Sequence, residues 1–254
     1  MATIGIMDSG AGGLSVLREI LRLLPGERYL YYSDNANCPY GEKTPEFIIG
    51  RCRQIVGEFL AQGADAVVIA CNTATAAAIA TLRAEWPDVP FVGMEPAVKP
   101  AALGTKSGVI GVLATAGTLK ASKYLDTRDT YAGDVKVVER VGKGFVELVE
   151  SLELDGAHTE QVVRESLEPL LHAGADTVVL GCTHYPFLLP VLQRIAGPDV
   201  RFIDPAPAAA RQLVRLLDSR GIAHSSPDSP ALRDITIKSS GQSETARRIL
   251  NQIL

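Results

Sequence analysis

Long hydrophobic runs are missing from this sequence. No run approaches the ~20 apolar residues that a membrane-spanning helix needs, and the first residues enter a strand pattern without a basic region or a cleavage site. Lysine and arginine never occur in runs longer than two, and the formal net charge is −4. These absences argue against a membrane protein and against a binder of nucleic acid or anionic membranes. We expect a cytoplasmic protein with a small-molecule partner.

Cysteine is scarce as well. The 254 residues include only Cys38, Cys52, Cys71 and Cys182, and none of them belongs to a Cys-x-x-Cys pair. A cytosolic setting keeps thiols reduced, so we expect no disulfide framework. Any chemical role of these residues therefore rests on the thiol itself.

Two of these cysteines end near-copies of one stretch. Positions 63–73 read GADAVVIACNT and positions 174–184 read GADTVVLGCTH, at a constant separation of 111 residues. Each copy is a turn followed by a short aliphatic run and a cysteine. A weaker repeat relates positions 4–12 to positions 110–117. The chain therefore has two related halves, and a doubled half-site favours a ligand held between them.

Apolar strand patterns alternate with helical patterns in both halves, which is typical of a parallel sheet covered on both faces. We predict an α/β fold of two pseudo-symmetric, doubly wound lobes with mainly parallel sheets and the active site in the cleft between them. The first lobe is predicted to comprise residues 1–96 and about 207–254, and the second about 97–206. One helix is predicted over 118–127, and an irregular polar turn over 34–41.

Polar residues cluster at the predicted strand ends, where ligands bind in open parallel sheets. These residues are Asp8, Ser9, Asp34, Cys71, Asn72, Thr73, Thr115, Cys182, Thr183 and His184. Cys71 and Cys182 also lie where a strand leads into a helix, so backbone N–H groups and the helix dipole favour the thiolate. Cys38 and Cys52 are interpreted as ordinary buried or turn residues. The other histidines, His158, His172 and His224, fall at loops or helix ends, where they are expected to be solvated.

One thiol from each half suits inversion of a stereocentre. A thiolate can remove a Cα proton from one face while a thiol replaces it on the other, and both groups titrate near the operating pH. The Cα–H of an amino acid is a very weak acid, so donors must stabilise the charge that develops at the α-carboxylate. Backbone amides and the hydroxyls of Ser9, Thr73 and Thr183 are candidates. The pattern predicts a racemase or an epimerase.

Four motifs strengthen this prediction. The runs DSGAGG at 8–13, DNANCPYG at 34–41, ACNTA at 70–74 and GCTHYP at 181–186 resemble, in order and over essentially the whole chain, those of the glutamate racemase family. The resemblance implies an isomerase of the aspartate/glutamate racemase superfamily that interconverts L- and D-glutamate without cofactor or metal. It also implies a role in peptidoglycan biosynthesis, and so in cell wall biogenesis and cell shape. A homodimer is an open expectation.

The resemblance also assigns residues. It implies Cys71 as the base toward D-glutamate and Cys182 as the base toward L-glutamate, with Asp8 and His184 as auxiliary residues beside them. The substrate-contacting positions that it implies are Asp8, Ser9, Tyr40, Gly41, Asn72, Thr73, Thr115, Thr118, Thr183 and His184. His184 favours glutamate as the substrate, because similar aspartate racemases tend to have a glutamate residue at this position. One segment departs from the family: Gly142-Lys143-Gly144 stands where a Cys-Pro pair is common, with Glu147 and Glu150 following. Of these two, Glu150 resembles a family glutamate near the site.

Other interpretations compete. Glycines 10, 12 and 13 follow a strand and Asp34 lies near the place of a ribose-binding acid, as in a dinucleotide-binding protein, but Ser15 replaces the third glycine. Cys71, Cys182 and His184 are residue types that bind zinc, although no close-spaced ligand pair occurs. A one-cysteine decarboxylase on the same scaffold is disfavoured by the second thiol. Within the superfamily, an aspartate or another amino-acid racemase is the alternative.

Overall fold

The computed structural model describes residues 1–232 and 234–254. The strands are β1 (Thr3–Asp8), β2 (Arg28–Ser33), β3 (Ala66–Ile69), β4 (Phe91–Gly93), β5 (Val109–Ala114), β6 (Lys136–Val141), β7 (Thr177–Gly181), β8 (Arg201–Ile203) and β9 (Asp234–Ser239). The helices are α1 (Leu14–Leu23), α2 (Pro45–Ala61), α3 (Asn72–Glu85), α4 (Val98–Gly104), α5 (Ala116–Lys120), α6 (Ser122–Tyr131), α7 (Phe145–Glu150), α8 (Ala157–His172), α9 (Leu189–Ala196), α10 (Ala206–Ser219) and α11 (Glu244–Ile253). Within the described residues, no helix combines the length and the apolar character needed to cross a lipid bilayer.

The chain forms two compact units. Met1–Met94 and Ala206–Leu254 make up the first, and Glu95–Pro205 the second. The sheet of the first unit has the order β4-β3-β1-β2-β9, and that of the second has the order β8-β7-β5-β6. All neighbouring strands in both sheets pair in parallel. The sequence repeat is thus a repeat of topology, because β1 to β4 have the same spatial order as β5, β6, β7 and β8. The predicted α/β fold with two pseudo-symmetric parallel sheets is confirmed.

Equivalent glycines explain part of the repeat. A Cβ on Gly5 of β1 would lie 2.5 Å from Cδ2 of Phe59, and a Cβ on Gly111 of β5 would lie 2.8 Å from Cδ1 of Leu170. Phe59 belongs to α2 and Leu170 to α8. Each central strand therefore needs a glycine at the point where a large helical side chain packs against it, and the Ile-Gly pair recurs in both halves.

Three local features differ from the sequence prediction. The single helix expected over 118–127 is divided at Ala121, whose backbone is extended, into α5 and α6. The helix α4 was not predicted. The polar turn over 34–41 includes a short 3₁₀ helix, Asn35–Asn37, and a second one, Tyr40–Glu42, begins within it. By contrast, the predicted start of α2 is confirmed, since Thr44 caps it by accepting a hydrogen bond from the Phe47 N–H and Pro45 is the first helical residue.

Candidate functional site

The polar residues of the first unit follow the ends of neighbouring strands. Met7 of β1 is in register with Ile69 of β3, and Asp8 is in register with Ser33 of β2. Asp8, Asp34 and Cys71 therefore come at or just after the carboxyl ends of three adjacent strands. All three side chains are buried. Parallel strands end at the same edge, so the fold gathers residues that are far apart in the sequence.

Cys71 is the N-cap residue of α3. The Ala74 N–H donates a hydrogen bond to its Sγ over 3.4 Å. The Cys71 thiol in turn donates to Oγ of Ser9 over 3.7 Å. The side chain is 6% exposed. An anion at this position interacts favourably with the helix dipole and with the first-turn N–H groups. The Ala74 N–H and the start of α3 thus face the Cys71 sulfur, which is the backbone arrangement expected from the sequence.

Asp8 is the last residue of β1, and the loop that follows packs tightly against it. Its Oδ1 accepts a hydrogen bond from the Gly10 N–H over 2.9 Å, and Tyr31 donates its hydroxyl to the Gly10 carbonyl over 2.9 Å. A Cβ on Gly13 would lie 2.6 Å from Cβ of Asp8. The glycine-rich run thus lets the loop approach the Asp8 side chain closely, which gives Gly13 a packing role.

Tyr40 is buried beside the same strand ends. It follows a cis peptide bond between Cys38 and Pro39, and its hydroxyl donates a hydrogen bond to the Asp34 carboxylate. Burial and the neighbouring Asp34 charge raise the pKa of Tyr40 well above its ordinary value. The phenol is therefore a neutral donor. Gly41 follows within the same 3₁₀ turn.

Asn72 and Thr73 complete the first half-site. Both are buried in the first turn of α3, directly after Cys71. Oδ1 of Asn72 is buried and has no hydrogen-bond partner among the described residues. A buried acceptor in this state is costly unless a ligand supplies a donor. The geometry of Asn72 therefore fits a ligand that carries an N–H or O–H group.

The second unit repeats the arrangement with different partners. Ala114 of β5 is in register with Gly181 of β7, so Thr115 and Cys182 follow paired strand ends. Thr115 caps α5 by accepting from the Thr118 N–H over 3.2 Å, and the two threonine hydroxyls are hydrogen-bonded over 3.0 Å. Thr118 and Thr183 are both buried.

Cys182 is paired with a histidine rather than with a helix terminus. Its Sγ lies 3.8 Å from Nδ1 of His184, and Nε2 of His184 lies 2.7 Å from Oε1 of Glu150. The thiol is 7% exposed and His184 is almost fully buried. Cys182, His184 and Glu150 thus form a continuous thiol, imidazole and carboxylate series. Such a series orients the ring and lets it accept or return a proton at the sulfur.

The structure adds residues that the sequence analysis did not assign to the site. Glu150 was noted as resembling a family glutamate near the site but was not assigned a role, and here it contacts His184. Asp34 was recognised as a strand-end residue but was not assigned to the racemase site. Arg51 on α2 was missed, although it makes a two-pronged contact with Asp34. A carboxylate at a strand end was the available signal for Asp34, whereas a helical arginine carries no comparable signal.

Comparisons with known proteins agree with this description. The family model described as Asp/Glu/Hydantoin racemase matches residues 4–213. A glutamate racemase of Pseudomonas putida is 53% identical over 249 residues, which cover 98% of this chain and 92% of the relative.

Solved structures give the same result. The crystal structure of Escherichia coli glutamate racemase with L-glutamate and the activator UDP-MurNAc-Ala has a TM-score of 0.87 at 34% identity, over 99% of this chain and 95% of that one. That of Francisella tularensis glutamate racemase with D-glutamate has a TM-score of 0.83 at 26% identity, over 100% of this chain and 93% of that one.

Proposed function

The chain belongs to the Asp/Glu/hydantoin racemase family, and we propose that it interconverts L- and D-glutamate by a two-base mechanism in which Cys71 and Cys182 are the bases. The observation that carries the proposal is the equivalent placement of the two thiols, each after the corresponding strand of its own sheet. Relatives at about half identity are glutamate racemases. Solved relatives hold L-glutamate in one case and D-glutamate in another.

The proton transfers balance over one turnover. The Cys71 thiolate takes the Cα proton of D-glutamate and becomes a thiol, which leaves a planar carbanion. The Cys182 thiol then delivers its proton to the opposite face of that carbon, and L-glutamate leaves a Cys182 thiolate behind. The reverse reaction exchanges the two roles. Neither step consumes a second substrate, because each thiol is restored by the opposite reaction or by exchange with water.

The two bases are supported in different ways. The Ala74 N–H and the α3 terminus stabilise the Cys71 thiolate, while His184, oriented by Glu150, exchanges a proton with Cys182. Asp8 and His184 are the auxiliary residues, and the Asp8 carboxylate holds the substrate ammonium. Asn72 accepts a hydrogen bond from the substrate through its Oδ1.

The remaining polar groups bind the rest of the substrate. Donors at the α-carboxylate offset the charge that develops as the Cα proton leaves. In this proposal the substrate contacts are Ser9, Tyr40, Gly41, Thr73, Thr115, Thr118 and Thr183. His184 at its position favours glutamate over aspartate.

The proposal extends to the role in the cell. D-glutamate made by this reaction supplies peptidoglycan synthesis in the cytoplasm. The two compact units serve as the two lobes of the enzyme, and a homodimer is the assembly that light scattering would test. No cofactor and no metal takes part.

Racemisation is tested by circular dichroism of L-glutamate and, separately, of D-glutamate in D₂O without added cofactor, with L-aspartate in parallel. We expect the signal to decay to zero from both glutamate enantiomers, with deuterium entering at Cα. Decay with aspartate at a comparable rate would broaden the substrate assignment. Stable signals with all three amino acids would refute the proposed reaction.

A further inference from the structure

Arg51 and Asp34 form a buried, two-pronged ion pair in the first unit. Nη2 of Arg51 donates to Oδ1 of Asp34 over 2.7 Å, and Nε donates to Oδ2 over 2.9 Å. The Asp34 side chain is 0% exposed and that of Arg51 is 19% exposed. A planar guanidinium that holds both oxygens of one carboxylate fixes its orientation as well as its charge.

The Asp34 carboxylate in turn holds the segment that carries Tyr40 and Gly41. Besides Arg51, it accepts hydrogen bonds from the Tyr40 hydroxyl and from Nδ2 of Asn37, the latter over 3.0 Å. The Asp34 N–H donates to the Asp8 carbonyl over 2.9 Å. One carboxylate therefore connects the polar turn to the strand end that bears Asp8.

The negative charge of the buried Asp34 carboxylate is stabilised by Arg51. Burial raises the pKa of the Asp34 carboxyl, but hydrogen bonds from Arg51, Tyr40, Ser240 and Asn37 together outweigh burial and hold it below its ordinary value. Without the guanidinium, the buried carboxylate would lose its positive partner. Tyr40 lies in the same buried cluster as Cys71, so the turn packs into the core that also holds the proposed base.

We propose that Arg51 is a positioning residue for the Cys71 half-site, which acts through Asp34 to hold Tyr40 and Gly41 in place for the amino-acid substrate. The inference rests on the proposed function for the identity of that substrate. Arg51 itself touches none of the reacting atoms. Its effect is to keep a substrate-contacting turn in one conformation before the substrate arrives.

The test is Arg51→Lys, which keeps the positive charge but removes the two-pronged contact with the Asp34 carboxylate. Arg53→Lys is a matched control, since Arg53 lies on the same helix and its Nε and Nη2 also hold a carboxylate, that of Glu85. That pair is solvent-exposed, at 50% and 33% for the two side chains. We expect Arg51→Lys to raise KM for both enantiomers roughly tenfold while kcat changes less than about threefold, because the turn contacts substrate rather than reacting atoms. Arg53→Lys should match the wild type.

A second readout does not require racemisation. The rate at which iodoacetamide alkylates Cys71, followed by peptide mass spectrometry without glutamate, should rise about threefold or more in Arg51→Lys because the turn beside the thiol loosens. If Arg51→Lys does not fold, the double variant Arg51→Gln with Asp34→Asn is used, because it leaves no unpaired buried charge. The same rise in KM and the same faster alkylation of Cys71 are expected for it.

The two proposals fail in different ways. A wild-type protein that does not racemise glutamate removes the proposed function, and the alkylation rate still decides the role of Arg51. An unchanged KM together with an unchanged alkylation rate in the Arg51 variant overturns the positioning role. A fall in kcat at constant KM would overturn it as well, since Arg51 would then act on the chemical step.

Discussion

The backbone N–H of Ala74 donates a hydrogen bond to Sγ of Cys71 over 3.4 Å, so a thiol caps the helix that follows β3. Cys52 lies in the same buried cluster as Cys71, within α2, and offers a contrast. Burial raises the pKa of the Cys52 thiol to about 12, and the neighbouring Asp34 charge adds to this effect. Two buried thiols of one unit thus differ in placement, because Cys71 stands at a helix N-terminus and Cys52 lies within a helix.

Replacing Cys71 by alanine is expected to abolish racemisation, with a loss of at least about 10³-fold in kcat, because a proton-transfer base is removed. Cys52→Ala is the matched control, since it deletes a buried thiol that stays protonated. It should cost about 1 kcal/mol of unfolding free energy and change kcat less than about threefold. Circular dichroism of glutamate and urea unfolding measure the two effects. A Cys71→Ala variant that keeps full activity would contradict the two-base mechanism.

Glu150→Gln is expected to lower kcat about 10- to 100-fold, because the amide still reaches His184 but no longer offers a negative charge to the imidazolium. Glu147→Gln is the control, since Glu147 lies on the same short helix with its side chain exposed. The comparison is made at saturating glutamate in both directions. Equal activity of the two variants would show that the carboxylate of Glu150 does not support His184.

The sequence predicted most of what local pattern and repetition can encode. The constant separation of the two cysteine stretches predicted equivalent strands, and the structure places β3 and β7 in equivalent positions of two parallel sheets. The strand-end rule brought Asp8 and Cys71 to one edge. These inferences succeed because strand direction alone determines which residues meet there.

Contacts between distant segments could not be predicted. Arg51 is 17 residues from Asp34, and His184 is 34 residues from Glu150. Each contact depends on how a helix packs on its sheet, which periodicity does not specify. The break at Ala121 was also missed, because neither glycine nor proline marks it; the extended backbone of Ala121 itself ends α5 and precedes α6.

The hydrogen bonds to Asp176 lead us to expect that the stability of the second unit depends on pH in the acid range. It accepts hydrogen bonds from the N–H groups of Lys106 and Ser107 over 2.6 and 2.7 Å, and from the Thr105 hydroxyl over 2.6 Å. Burial opposes ionisation, but these donors lower the pKa of Asp176 to about 2. Because the folded-state pKa is depressed, the stabilisation is present above the unfolded value near 4 and disappears as the pH falls toward 2.

Asp176→Asn should therefore lower the unfolding free energy by about 1–3 kcal/mol at neutral pH. The difference from the wild type should shrink between about pH 4 and pH 2, where the wild-type carboxyl itself becomes protonated. Urea unfolding of both proteins between pH 2 and pH 7 measures this difference in unfolding free energy. Asp199→Asn, at an exposed position of the same unit, should have no comparable effect. A pH-independent difference for Asp176→Asn would contradict the ionisation argument.

Gly142→Ala tests the segment that departs from the family motif. A Cβ on Gly142 would lie 2.6 Å from Oη of Tyr185 and 3.0 Å from Cδ2 of Phe145. These two rings pack edge to face, with centroids 4.9 Å apart, and Tyr185 also donates its hydroxyl to the Gly142 carbonyl over 3.3 Å. A methyl group at this position must displace Tyr185, which directly follows His184 in the chain.

We expect Gly142→Ala to lower the unfolding free energy by about 1–3 kcal/mol through overpacking, and to reduce kcat because His184 moves relative to Cys182. Gly133→Ala is the matched control, since a Cβ there meets no atom within 4 Å and the site is exposed. Thermal unfolding and glutamate racemisation are measured for both variants. A stable but slow Gly142→Ala variant would mean that this glycine mainly keeps the His184 turn in its active geometry. A fully active, stable variant would mean that Tyr185 can shift without moving His184.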